Sequence, residues 1–218
     1  MEFLFRNELY DKAKPKYQQI SLSFTEPTNE PISLTELKNY LKIDYTTDDD
    51  LLNVLITTSR KQIENELGGL AIVKRSFTQK QTGGLDVIEL LISPINSITS
   101  ITYYEDFDST GEVISSSLYR RVNSNLYHKN YYWDIGRDGD GYVIVFNSGL
   151  VDDTANSALT APKSIKNAIL RICAYLYENR QDYAKNWSEG NWTINYDKQT
   201  RNDINLLLMP YHTGKGLF

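Results

Sequence analysis

The sequence predicts an α+β protein in which a helical core is interrupted by an inserted antiparallel β region. Three observations predict it. Apolar residues recur at helical spacing through residues 33–67 and again through 162–209. Residues 71–150 between them are rich in β-branched and aromatic side chains, cut at short intervals by Gly83-Gly84, Pro94 and Gly111. The junctions carry matching punctuation, with Gly68-Gly69 to stop a helix and Pro162 to start one.

Residues 1–30 form an N-terminal extension with little periodicity, in which Ile20, Leu22 and Phe24 alternate with serines and predict one short strand. A helix is predicted near 33–43. Ser33 and Glu36 have the S-x-x-E spacing with which each side chain satisfies a free amide of the first turn, and Leu34, Leu37 and Leu41 supply the apolar face. The next helix, 48–67, opens on Asp48-Asp49-Asp50, negative charge at the positive end of the helix dipole. Leu52, Leu55, Ser59, Ile63 and Leu67 form its inner stripe, and Asn53, Arg60 and Glu64 are expected on the opposite, solvated face.

Strands are predicted at 71–81, 85–92, 97–105, 112–122 and 142–147, as a small sheet or sandwich inserted over residues 71–150. A helix at 162–180 follows, with Ile165, Ile169, Ile172 and Leu176 as its stripe. A shorter one at 199–209 ends at Pro210. The organisation expected is thus a helical core from 31–70 and 160–210, the β insertion, and an irregular tail, 211–218.

The bulk numbers exclude several classes. With 218 residues, 40% hydrophobic and 23% charged, the chain can bury a core. Its net charge of −5 is the wrong sign for a surface that grips duplex DNA. A single cysteine, Cys173, allows no internal disulfide and suits a reducing compartment. No signal peptide and no membrane span are expected. The 16 tyrosines suit either sheet packing or protein interfaces.

No catalytic constellation stands out, and the chain is expected not to be an enzyme and to need no cofactor. His128 and His212 lack metal-ligand spacing. Cys173 falls on a helix core stripe, where a buried inert thiol is the default. Asp134, Asp138 and Asp140 before Gly141 resemble a calcium loop, but no bidentate glutamate follows, and Asp-Gly pairs are ordinary turn chemistry. Gly214-Lys215-Gly216 lacks the framing of a phosphate loop, and no G-x-S-x-G elbow is present.

Several segments taken in order resemble one known family. They are Pro31-Ile32-Ser33-Leu34, then Leu41-Lys42-Ile43-Asp44, Asp48–Asp50 and Gly68-Gly69, then Pro162, Tyr177-Glu178-Asn179-Arg180, and Leu207-Leu208-Met209-Pro210-Tyr211. In order and spacing they resemble the head–tail connector, or head-completion adaptor, proteins of long-tailed bacteriophages. The chain departs from that pattern in its longer N-terminal extension, in the stretch holding Trp187 and Trp192, and in His212 where a basic residue is usual.

The resemblance implies a virion protein made in the host cytoplasm. It would form a homo-oligomeric ring in the neck, matching a twelvefold portal, and would join the portal protein to a stopper or tail-completion protein while double-stranded DNA passes through the lumen. The tail, with Tyr211, Lys215 and Phe218, is the expected portal contact. The aromatic cluster of Tyr131, Tyr132 and Trp133, beside Tyr127, is a second candidate interface. That cluster also supports an alternative, a tail or baseplate module whose aromatic platform binds glycans. A stopper protein is a third option, disfavoured because a mostly β chain would be expected.

Overall fold

A computed structural model describes residues 20–129, 133–134, 136–179 and 198–212. The fold is α+β, as expected, and the described residues form two compact units. One holds residues 20–26 and 74–149 and carries all the strands; the other holds 27–73 and 150–212 and carries all the α-helices.

In the helical unit, α1 spans Leu34–Leu41 and α2 spans Asp49–Glu66. A single turn, α3, at Ser157–Thr160 precedes α4 at Lys163–Glu178, and α5 runs over Lys198–Leu208 before a 3-10 turn at Met209–Tyr211. The start of α1 is the box read from the sequence. Ser33 Oγ accepts from Glu36 N at 3.1 Å, and Glu36 Oε2 accepts from Ser33 N at 2.9 Å. Gly68 and Gly69, at φ +62° and +93°, turn the chain out of α2 in the left-handed region that glycine adopts without a Cβ penalty. The core joins Leu52, Ile56 and Ile63 of α2 to Ile165, Ile169 and Ile172 of α4 and to Ile204 and Leu208 of α5.

The expectation for the outer face of α2 is corrected at two positions. Arg60 and Glu64 are 1% and 7% exposed. Arg60 Nη1 meets Glu64 Oε2 at 2.9 Å, one turn along, and Arg60 Nε meets Glu30 Oε2 at 2.8 Å. Glu64 Oε1 also accepts from the backbone N–H of Ile72 at 2.8 Å. The pair is inside because Glu30 and the backbone of Ile72 close over it, filling bonding capacity that burial would otherwise leave empty.

The β unit holds two antiparallel sheets. Five strands, β1 (Ile20–Phe24), β2 (Arg75–Gln81), β4 (Ile95–Tyr103), β5 (Glu112–Val113) and β8 (Tyr142–Ser148), are ordered β1-β2-β8-β4-β5. Three more, β3 (Val87–Glu89), β6 (Tyr119–Val122) and β7 (Asn125–His128), are ordered β3-β7-β6. The short strand expected at 20–24 is therefore an edge strand, pairing Ile20 with Gln81 through to Phe24 with Phe77. Buried Gln79 ties β2 to the chain around β3 by mimicking a strand. Its amide donates to Glu89 O at 2.8 Å and its carbonyl accepts from Leu91 N at 3.0 Å.

The strands differ from expectation at several of their ends and most clearly at three places. Strand β2 begins at Arg75 rather than Ala71, since Val73 forms only an isolated bridge to Val151. The stretch 112–122 is broken by a 3-10 turn at Ser116–Leu118, where Ser115 Oγ accepts from Ser117 N at 3.3 Å. Strand β7 was not anticipated. It follows Asn123, whose φ of +56° makes the tight turn from β6.

Candidate functional site

The described residues contain nothing arranged for catalysis. No group of three or more His, Cys, Asp or Glu among them is placed to hold a metal ion. No helix among them is long and apolar enough to cross a membrane. Cys173 lies inside α4 with its Sγ 3.2 Å from Ser59 Oγ, and burial pushes its thiol up to about 12.

The loop that resembled a calcium site is closed by the protein's own cation. Arg137 Nε and Nη2 reach Asp140 Oδ1 and Oδ2 at 2.6 and 2.9 Å, a two-pronged grip on the carboxylate a metal would need. The same guanidinium lies over the Tyr104 ring, 4.1 Å from its centroid. Gly136 adopts φ +62° where a Cβ would sit 2.8 Å from Tyr104 O, so the turn demands glycine. Calorimetric titration with calcium is expected to give no heat; a saturable exotherm would contradict this account of the loop.

The acidic run Asp48–Asp50 is mostly committed to structure. Asp49 pairs with Lys38 at 2.7 Å, and Asp48 Oδ2 accepts from Tyr177 OH at 2.6 Å. Glu36 bonds Lys166 of α4 as well as its own cap. Burial opposes ionisation there, but Lys166 and Ser33 together hold the Glu36 carboxyl below the usual carboxylate range.

The interface residues anticipated from the sequence fall in three places. Trp133 is 1% exposed. Its indole N–H donates to Leu126 O at 3.1 Å, and its ring meets those of His128 and Tyr142 at 5.1 and 5.4 Å. An enclosed ring offers no face to a sugar, so Trp133 does not contribute to an exposed platform. Tyr131, Tyr132, Lys215 and Phe218 lie outside the described residues. Tyr211 is half-buried and its hydroxyl lies 3.1 Å from Ser164 Oγ, which fixes the base of the tail to α4.

Exposed apolar side chains not singled out from the sequence are the clearest surface features. In the β unit Phe107 is 75% exposed at the tip of a loop flanked by Glu105, Asp106 and Asp108. In the helical unit Val54 on α2 is 61% exposed, and Leu206 and Met209 at α5 are 70% and 69% exposed. Leu206 and Met209 line an open depression of about 510 Å³ with Asn202, Asn205 and His212. A helical stripe pointing away from the core shows in the sequence as apolar residues out of phase with the main periodicity, and Val54 and Leu206 are both of this kind.

Three solved structures match over 88% of this chain and 95% of theirs. A chain in the neck of an empty gene transfer agent (GTA) particle, computed with C6 symmetry, is 15% identical with a TM-score of 0.66. One in the neck of a native GTA particle, computed with C12 symmetry, is 19% identical with a TM-score of 0.61. One in the virion of the native particle is 15% identical with a TM-score of 0.65. At such identities the likeness is one of fold. No curated protein sequence matches the chain. Residues 31–128, from the capping segment of α1 through β7, match the model of the phage gp6-like head-tail connector proteins.

Proposed function

We propose that this chain is a structural adaptor of the virion neck. Copies form a ring beneath the portal and join it to the stopper or tail while the genome passes through the channel. The observation that carries this reading is the shared fold over nearly the whole chain with proteins of a symmetric neck, together with the family match. Composition supports it: with a net charge of −5 the chain makes a poor DNA clamp, and DNA must slide through a neck rather than be held there. Bonded carboxylates, a buried thiol and an arginine-closed turn fit a structural protein rather than an enzyme.

The C-terminal segment is the proposed portal contact. Tyr211, at the base of that segment, is tied to α4 by its hydroxyl, 3.1 Å from Ser164 Oγ. Removing 213–218 is expected to leave the thermal stability of the chain unchanged and to abolish its binding to the portal.

Loss of the whole protein tests the reading in the virion. Particles made without it are expected to be separate DNA-filled heads and free tails when viewed by electron microscopy. Normally joined particles would overturn the proposal.

A further inference from the structure

We infer that β1 is a pairing edge for a second copy of this chain, and that two copies join through their β1 strands into one continuous antiparallel sheet. The inference goes beyond the adaptor reading and does not depend on it.

The backbone fixes which groups are on offer. β1 pairs with β2 without a register shift, from Ile20 opposite Gln81 to Phe24 opposite Phe77. Thr25 continues that register, donating its N–H to Ser76 O at 3.2 Å. In an antiparallel pair, residues bonded to the partner strand alternate with residues whose N–H and C=O point away from it. Counting back from Thr25, Ser23 and Ser21 face β2, while Phe24, Leu22 and Ile20 turn their backbone groups outward. β1 ends the strand order, so no described strand meets them.

The same residues leave the core open at its rim. Ile20, Leu22 and Phe24 share a face with Gln81, Gln79 and Phe77, their neighbours on β2. Those neighbours are at most 1% exposed, whereas Ile20 is 36% and Phe24 49% exposed.

Sheet edges are ordinarily guarded against pairing, and the other edges of this unit are. Outer strand β5 is only Glu112–Val113, and β4 beside it bulges between Ile95 and Ser97 and between Ile98 and Ser100. β6 carries Arg120 and Arg121. Beside β3, the Gln79 side chain takes up Glu89 O and Leu91 N. β1, Ile-Ser-Leu-Ser-Phe, has no charge, no proline and no bulge.

The strand that fits this edge is β1 itself, because its pattern is symmetric about Leu22. Laid antiparallel on a second copy, Leu22 faces Leu22 and Ile20 faces Phe24. Every outward N–H then meets an outward C=O, the apolar rows lie side by side, and Ser21 faces Ser23 on the other face. A contact between identical strands is isologous and closes on two copies. It therefore belongs to the free chain and cannot by itself build a ring.

The test uses the full chain in solution. Sedimentation is expected to show monomer and dimer in concentration-dependent exchange. Leu22→Lys and Leu22→Glu should each raise the dimer dissociation constant at least about tenfold, since like charges directly opposite are destabilising. An equal mixture of the two should dimerise again, which misfolded variants could not do. Ser21→Cys with Ser23→Cys should oxidise to a covalent dimer, because facing residues of a non-bonded pair lie about 4.5 Å apart at Cα, within disulfide reach. Either single variant should give little, and buried Cys173 takes no part. A chain that stays monomeric at every concentration would overturn the inference. So would a dimer indifferent to Leu22→Lys, or one that Ser21→Cys alone cross-links as well as the double variant does.

Discussion

Replacing Arg60 with methionine is expected to destabilise the helical unit by about 3–5 kcal/mol, the usual cost of removing one partner from a buried ion pair. Arg60 is 1% exposed and sits between Glu64, itself 7% exposed, and Glu30. Without the guanidinium, Glu64 remains inside with one oxygen on Ile72 N and the other stripped of its charged partner. The loss is therefore mainly the penalty of a buried carboxylate deprived of its guanidinium rather than the net worth of the pair. A second substitution exposes that cause. Glu64→Gln keeps an acceptor for Ile72 N and removes the charge, so Arg60→Met with Glu64→Gln should unfold later than Arg60→Met alone. Thermal and denaturant unfolding followed by far-ultraviolet circular dichroism decides it. A single variant within about 0.5 kcal/mol of the parent, the range of an ordinary surface change, would contradict the buried-pair account.

Replacing Trp133 with alanine is expected to cost the β unit about 3–5 kcal/mol, the range for deleting a large buried aromatic. The ring is enclosed by Tyr119, His128 and Tyr142, and its N–H satisfies Leu126 O in β7. Trp133→Phe should cost less, about 1–3 kcal/mol, mainly from leaving the Leu126 carbonyl unpaired. The near-ultraviolet circular dichroism contributed by the Trp133 indole should be lost with either change. Loss of glycan binding with unchanged stability would instead restore Trp133 to a surface platform.

What the sequence showed was what is local. Ser33 and Glu36 are three residues apart, and their reciprocal bonds need only the first turn of α1. Gly68-Gly69, Pro162 and the periods of α2 and α4 are equally short-range. Arg60 and Glu64 were misplaced because the groups that make their burial tolerable, Glu30 and the Ile72 amide, come from outside the helix they sit on. The hairpin of β6 and β7 was missed because its turn rests on Asn123 rather than a glycine pair, a weaker signal for positive φ.

For function, a motif search could return only negatives. The calcium-like carboxylates were legible, but the arginine that neutralises one of them is a geometric fact of the fold. Leu51, Val54 and Leu206 read in the sequence as further hydrophobic residues, and only the packing of the helical unit shows that they are exposed.

The central claim is that this chain assembles on the portal, and imaging the two proteins together by electron microscopy tests it most directly. The account predicts a collar of added density below the portal, with one copy of this chain per portal subunit. A well-formed portal without added density, at concentrations where both proteins are folded, would contradict it.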